Sequence, residues 1–141
     1  MKRWLYIFIL IFICISAMAQ PKSCVLKTIT DVSPITYNKD GTIDYIFSSM
    51  LLTYNVLNIT DLVLTRRGLD LGYNEGNPLM MDIVKNRPWD LVFKTSVMLG
   101  ANYLFKYAKA GNGTFAYIMV AVIIVVYSYV NYMNYRLVVG L

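Results

Sequence analysis

The feature that most constrains this chain is the stretch from Phe115 through Ile118-Met119-Val120-Ala121-Val122-Ile123-Ile124-Val125-Val126 and on toward Arg136, which carries no charged residue. At 1.5 Å per residue, a run of about 20 apolar residues spans the hydrocarbon of a bilayer. Tyr127, Tyr129, Tyr132 and Tyr135 gather at its end, where an interfacial aromatic belt would lie. A second run, from about Ile43 to Thr65, is long enough to cross and is followed by Arg66-Arg67, a pair placed to snorkel and stop it. A third helix is expected from about Trp89 to Tyr107, opened by Pro88 and closed by the Gly111-Asn112-Gly113 turn.

Composition agrees with lipid as the solvent. Hydrophobic residues make up 57% of the 141 and charged residues 15%, against roughly 45–50% and about 25% in soluble domains. The net charge of +5 comes from residues that mostly flank apolar runs. They form no continuous basic stripe, so no nucleic-acid partner is expected. There is no histidine, which removes His-based metal sites and Ser-His-Asp or Cys-His catalysis. Cys14 and Cys24 cannot build a disulfide framework. No metal and no cofactor is expected.

Residues 1–19 have the layout of a secretory signal peptide: Lys2-Arg3, an apolar run from Trp4 to Ile15, and Ala17-Met18-Ala19 as a cleavage site. Cleavage after Ala19 leaves three spans; a retained signal anchor makes four. Residues 20–42 are polar and read as an extracytoplasmic tail, with 43–141 as the transmembrane helical domain. The fold class is therefore all-α, a transmembrane bundle. Between the first two spans, Asn77-Pro78 is a helix-start signal, and a short interfacial helix is expected from Pro78 to about Lys85. Gly68, Gly72 and Gly76 are read as loop glycines. The leader places residues 20–42 outside and the Arg66–Trp89 loop in the cytoplasm. Five basic residues then fall on each side, so the positive-inside rule is neutral.

Charges inside the spans carry the functional reading. Asp61 lies about 7 Å along its helix before Arg66, and Lys94 a similar distance into the next helix from Trp89. One loop joins these helices, so the two side chains share a depth and are expected to pair, since an isolated charge there is costly. Asn55, Asn58, Asp61 and Thr65 fall within an arc of about 120°. Ser128, Asn131 and Asn134 share a face of the last span. Interhelical hydrogen bonds among such groups contribute about 0.6–2 kcal/mol each. Glu75, three residues before Pro78, folds back toward the same end. The candidate polar cluster is Asn58, Asp61, Thr65, Glu75, Asn77 and Lys94. Each member has a structural reading: the ion pair as glue between spans, Glu75 to Pro78 as a capping loop.

Asp61-x3-Thr65, Gly72, Glu75-x-Asn77-Pro78 and Lys94 together resemble the small bacterial and archaeal membrane proteins of domain of unknown function 5658, over roughly Ile43 to Met133. The resemblance implies that these six polar and proline positions are signature positions, and that the chain lies in a prokaryotic cytoplasmic (inner) membrane. It implies no activity. The readings that remain are an accessory or partner-binding membrane protein, an oligomeric small-solute or ion transport unit using Asp61 and Lys94, and an intramembrane enzyme using Asp61 and Glu75. The last lacks a nucleophile or metal set. The expected partners are the lipid bilayer and either a second copy of the chain or another membrane protein.

Overall fold

The computed structural model describes residues 29–74, 81–84 and 87–140. The chain falls into two units, Met1–Asp31 and Val32–Leu141. The first is described only at 29–31, which are helical, so the leader lies outside the described residues. In the second unit every described element is a helix: α1 (Tyr45–Asp70), α2 (Met81–Val84), α3 (Arg87–Gly111) and α4 (Gly113–Val139).

Asp44 starts α1. Its backbone is extended and its carboxylate accepts the Phe47 N–H, which satisfies one of the orphan donors of the first turn. The helix does not stop at Arg66-Arg67, as the sequence suggested, but runs on to Asp70. Arginine is a good helix former, and nothing in its backbone ends a helix. The stop is Gly72, at φ +93°. The Tyr73 N–H reaches the Gly68 carbonyl at 3.0 Å and the Gly72 N–H the Leu69 carbonyl at 3.0 Å. This is a Schellman closure, which needs the left-handed conformation that glycine adopts without a Cβ clash. Gly68 is therefore helical and not a loop residue.

Met81–Val84 falls inside the expected short helix; its flanks lie outside the described residues. The α3 helix begins with Arg87-Pro88, where a missing N–H costs nothing. A single residue, Asn112, joins α3 to α4. It is extended, and its side chain accepts the Phe115 N–H at 3.1 Å. The three long helices thus run up, down and up. From Phe47–Tyr117 to Asp61–Asn134, contacts between α1 and α4 advance in step, as parallel neighbours require.

The apolar core sits toward the Asp44 end, where Phe47, Leu51, Tyr54, Phe105, Ala116 and Val120 pack together. Tyr54 meets Phe105 and Tyr127 edge-on, both with ring centroids 5.6 Å apart, the geometry aromatic quadrupoles favour. Residues 32–43 also belong to this unit. Asn102 donates to the Val32 carbonyl at 3.0 Å, and Thr36 is tied to Ser48. Thr36 and Tyr37 form no strand; an isolated bridge between Tyr37 and Ile43 closes a turn at Gly41.

Two described helices, α1 and α4, are long and apolar enough to cross a membrane, against the three or four spans expected. The α3 helix has the length, at 25 residues, but carries Asp90, Lys94, Lys106 and Lys109. On α1, Leu52, Val56, Ile59 and Val63 are all more than half exposed, as are Ile118, Val122, Val125 and Tyr129 on α4.

Candidate functional site at the Asp61 end

Asp61 is where the three long helices meet. Lys94 Nζ, from α3, donates to Asp61 Oδ2 at 2.8 Å. Asn134 Nδ2, from α4, donates to Asp61 Oδ1 at 2.8 Å. Both carboxylate oxygens are engaged, by a different helix each, and the Asp61 and Lys94 side chains are each 15% exposed. A charge-assisted bond to a mostly buried carboxylate is among the stronger polar contacts a protein makes.

The polar stripe of α1 faces inward. Asn55 and Asn58 are buried and Asp61 and Thr65 half-buried, while Leu52, Val56, Ile59 and Val63 occupy the outer face. Asn58 donates to the Tyr54 carbonyl at 2.9 Å. On α4 the inward face differs from the expected one. Ser128 is exposed, and the face runs through Tyr127, Asn131, Asn134 and Val138. Spacings of four, three and four follow the helical period along the contact with α1, whereas Ser128 lies one residue round the helix from Tyr127. Asn131 bridges the helices by donating to the Leu57 carbonyl at 3.0 Å and to Tyr127 at 2.9 Å.

Asp90 stands in the first turn of α3. It is fully buried and accepts from Arg66 Nε at 3.3 Å. Together the two ion pairs form antiparallel rungs of opposite polarity: Asp61 on α1 with Lys94 on α3, then Arg66 on α1 with Asp90 on α3. A slip of about one turn either way would face Asp61 with Asp90 or Arg66 with Lys94. Like charges would then meet, so the arrangement selects the register of α1 on α3.

Asn58, Asp61, Thr65 and Lys94 all line one cavity of about 520 Å³. Four of the six expected cluster residues therefore come together. Glu75 and Asn77 lie outside the described residues. The remaining walls are largely apolar, with Leu64, Phe93, Val97 and Leu137 among them. Among the described residues no group of three or more metal-ligating side chains occurs.

A second polar cluster, at the other end, escaped the sequence reading. Lys109 donates to Asp44 Oδ2, and the Tyr117 hydroxyl donates to the same oxygen at 2.8 Å. The Lys109 ammonium also lies 5.0 Å from the centre of the Phe47 ring. Burial pushes the Asp44 carboxyl up. Hydrogen bonds from Lys109, the Phe47 N–H and Tyr117, with the lysine charge, outweigh burial and hold it below its ordinary value. Depth counted from the Gly111 turn places Lys109 and Tyr117 level with each other, but that turn does not join α1, so Asp44 was not reached by the counting that paired Asp61 with Lys94.

A family model described as Domain of unknown function (DUF5658) matches residues 50–140. The chain belongs to this family. The DUF5658 match starts within α1 and ends just past α4, so it holds the Asp61, Lys94 and Asn134 contacts and the cavity. Asp44 precedes it. The matched range begins and ends later than Ile43 to Met133, taking in the last turns of α4 beside the cavity. No curated protein and no solved structure matches the chain.

Proposed function

We propose that this DUF5658 chain is a multi-pass integral membrane protein with an accessory or partner-binding role, whose helices are fastened at Asp61. One observation carries the reading. Asp61 turns inward and meets α3 and α4 together, while the outer faces of α1 and α4 present aliphatic side chains. In water such faces would be an aggregation hazard. In hydrocarbon they are the stable surface, and an ionised group must find its partner inside the bundle.

The α3 helix also crosses, as the middle one of three spans. Its charges lie near its two ends, and Asp90, Lys94 and Lys109 each meet an opposite charge on or beside α1. The leader is cleaved, residues 20–42 lie outside, the Arg66–Trp89 loop is cytoplasmic, and the membrane is the prokaryotic cytoplasmic one. The cavity beside Lys94 favours a second reading, a transport unit assembled from several copies, since three helices alone enclose little.

Extraction at alkaline pH tests the first claim: the chain stays with the lipid, and its release into the aqueous phase would refute membrane integration. Cysteines placed at Gly72 and Asn112 should react with an impermeant reagent from opposite sides. Amino-terminal sequencing of the purified protein should begin at Gln20. Cross-linking in membranes that yields only monomer would remove the transport reading.

A further inference from the structure

The fastening role of Asp61 and Lys94 leaves part of their chemistry unused. An ammonium group carries three N–H donors. Among the described residues Lys94 meets one acceptor, Asp61 Oδ2. Asp61 has each oxygen already engaged, one by Lys94 and one by Asn134. The pair therefore presents spare donors to the cavity it lines. Lys109, by contrast, sits between Asp44 and the Phe47 ring, within the bundle's own contacts.

The rest of the cavity is suited to hydrocarbon. Leu64, Phe93, Val97 and Leu137 line it alongside the polar groups, and its volume is about 520 Å³. Ligand pockets of roughly 300–1,000 Å³, mostly apolar with a few convergent polar groups, are the usual form of a small-molecule site. The geometry points to a single-chain amphiphile with an acidic head group, a lipid of the fatty-acid class. Its head accepts from Lys94 Nζ and its chain lies along the apolar walls. An anionic acceptor gains a charge-assisted bond that a neutral one does not. The inference rests on the membrane reading above, because the ligand reaches the cavity from the bilayer.

The test uses the full chain in lipid nanodiscs with spin-labelled stearate, read by electron paramagnetic resonance. The expected result is a motionally restricted fraction that saturates near one label per chain. Spin-labelled methyl stearate should be about tenfold weaker, the loss of one charge-assisted bond. Excess inorganic phosphate should not displace the label. Gly68→Leu is the decisive variant. A Cβ at Gly68 meets only Val138 Cγ2, at 4.0 Å, so the backbone accepts it while the added side chain enters the cavity. It should abolish the restricted fraction with both ion pairs intact. Lys94→Met should erase the preference for acid over ester; if that variant does not fold, Gly68→Leu decides. Equal restriction of acid and ester, displacement by phosphate, or no effect of Gly68→Leu would overturn the proposal. In a chain that needs detergent or lipid, absence of any restricted fraction overturns the ligand alone; a chain that stays in water overturns the membrane reading as well.

Discussion

The two ends of the bundle each hold a carboxylate on or capping α1, bound to a lysine of α3 and a side chain of α4, yet they are built differently. At one end Asp44 takes Lys109, Tyr117 and the Phe47 N–H, and the aromatic core lies beside it. At the other, Asp61 takes Lys94 and Asn134, and both members of the ion pair line a cavity. One end is closed by its own side chains. The other keeps donor capacity facing space. Similar ionic parts therefore make a lock in one place and a candidate site in the other, and the difference lies in what surrounds the lysine.

The largest effect should come from breaking the lock. Asp44→Ala removes the N-cap and leaves Lys109 without its partner, which should cost about 3 kcal/mol, read by thermal unfolding in detergent. Asp61→Ala should cost less, about 2 kcal/mol, because its partners border the cavity. Adding Lys94→Ala to it should restore part of the loss, so that the double-mutant cycle shows favourable coupling. The swap Asp61→Lys with Lys94→Asp should preserve expression if fastening is the pair's whole task. Loss of function in a folded swap would mark a site.

Acid sharpens the same contrast. The Asp44 carboxyl is held below its ordinary value of 3.8. A depressed folded-state value adds stability that is complete above the unfolded value and disappears as pH falls through the folded one. Stability in detergent should therefore decline below about pH 4, and Asp44→Asn should flatten that decline. Smaller still is Gly72→Ala, which places a Cβ at φ +93° and should cost about 1 kcal/mol. Val125→Leu, on the exposed face of α4, should change stability by less than about 0.5 kcal/mol.

Much of the Asp61 end was readable because residues can be counted outward from the loop that two helices share. A loop with one boundary fixes the height of Asp61 and Lys94 on two helices at once, and helical spacing fixes the stripe from Asn55 to Thr65. Asn131 and Asn134 followed from helical spacing on the last span. Ser128 did not, because a face assigned by spacing alone is uncertain by one residue, or about 100° of arc. The end of α1 was misplaced because Arg66-Arg67 has the look of a boundary, whereas the backbone stops only where Gly72 can turn left-handed. Asp44 was missed because it opens the apolar run, at the end of the bundle where no loop joins α1 to α3 and no shared depth could be counted. Its partner on α4, Tyr117, looks like one more apolar residue until its hydroxyl is placed.

The account depends most on which faces of α1 meet lipid. Nitroxide labels placed singly from Leu52 to Val63, with the chain in liposomes, measure that directly through collisions with oxygen and with a water-soluble nickel reagent. Oxygen access should peak at Leu52, Val56, Ile59 and Val63 and fall at Asn55 and Asn58, with nickel access low throughout. A flat profile, or nickel access at the four aliphatic positions, would contradict it.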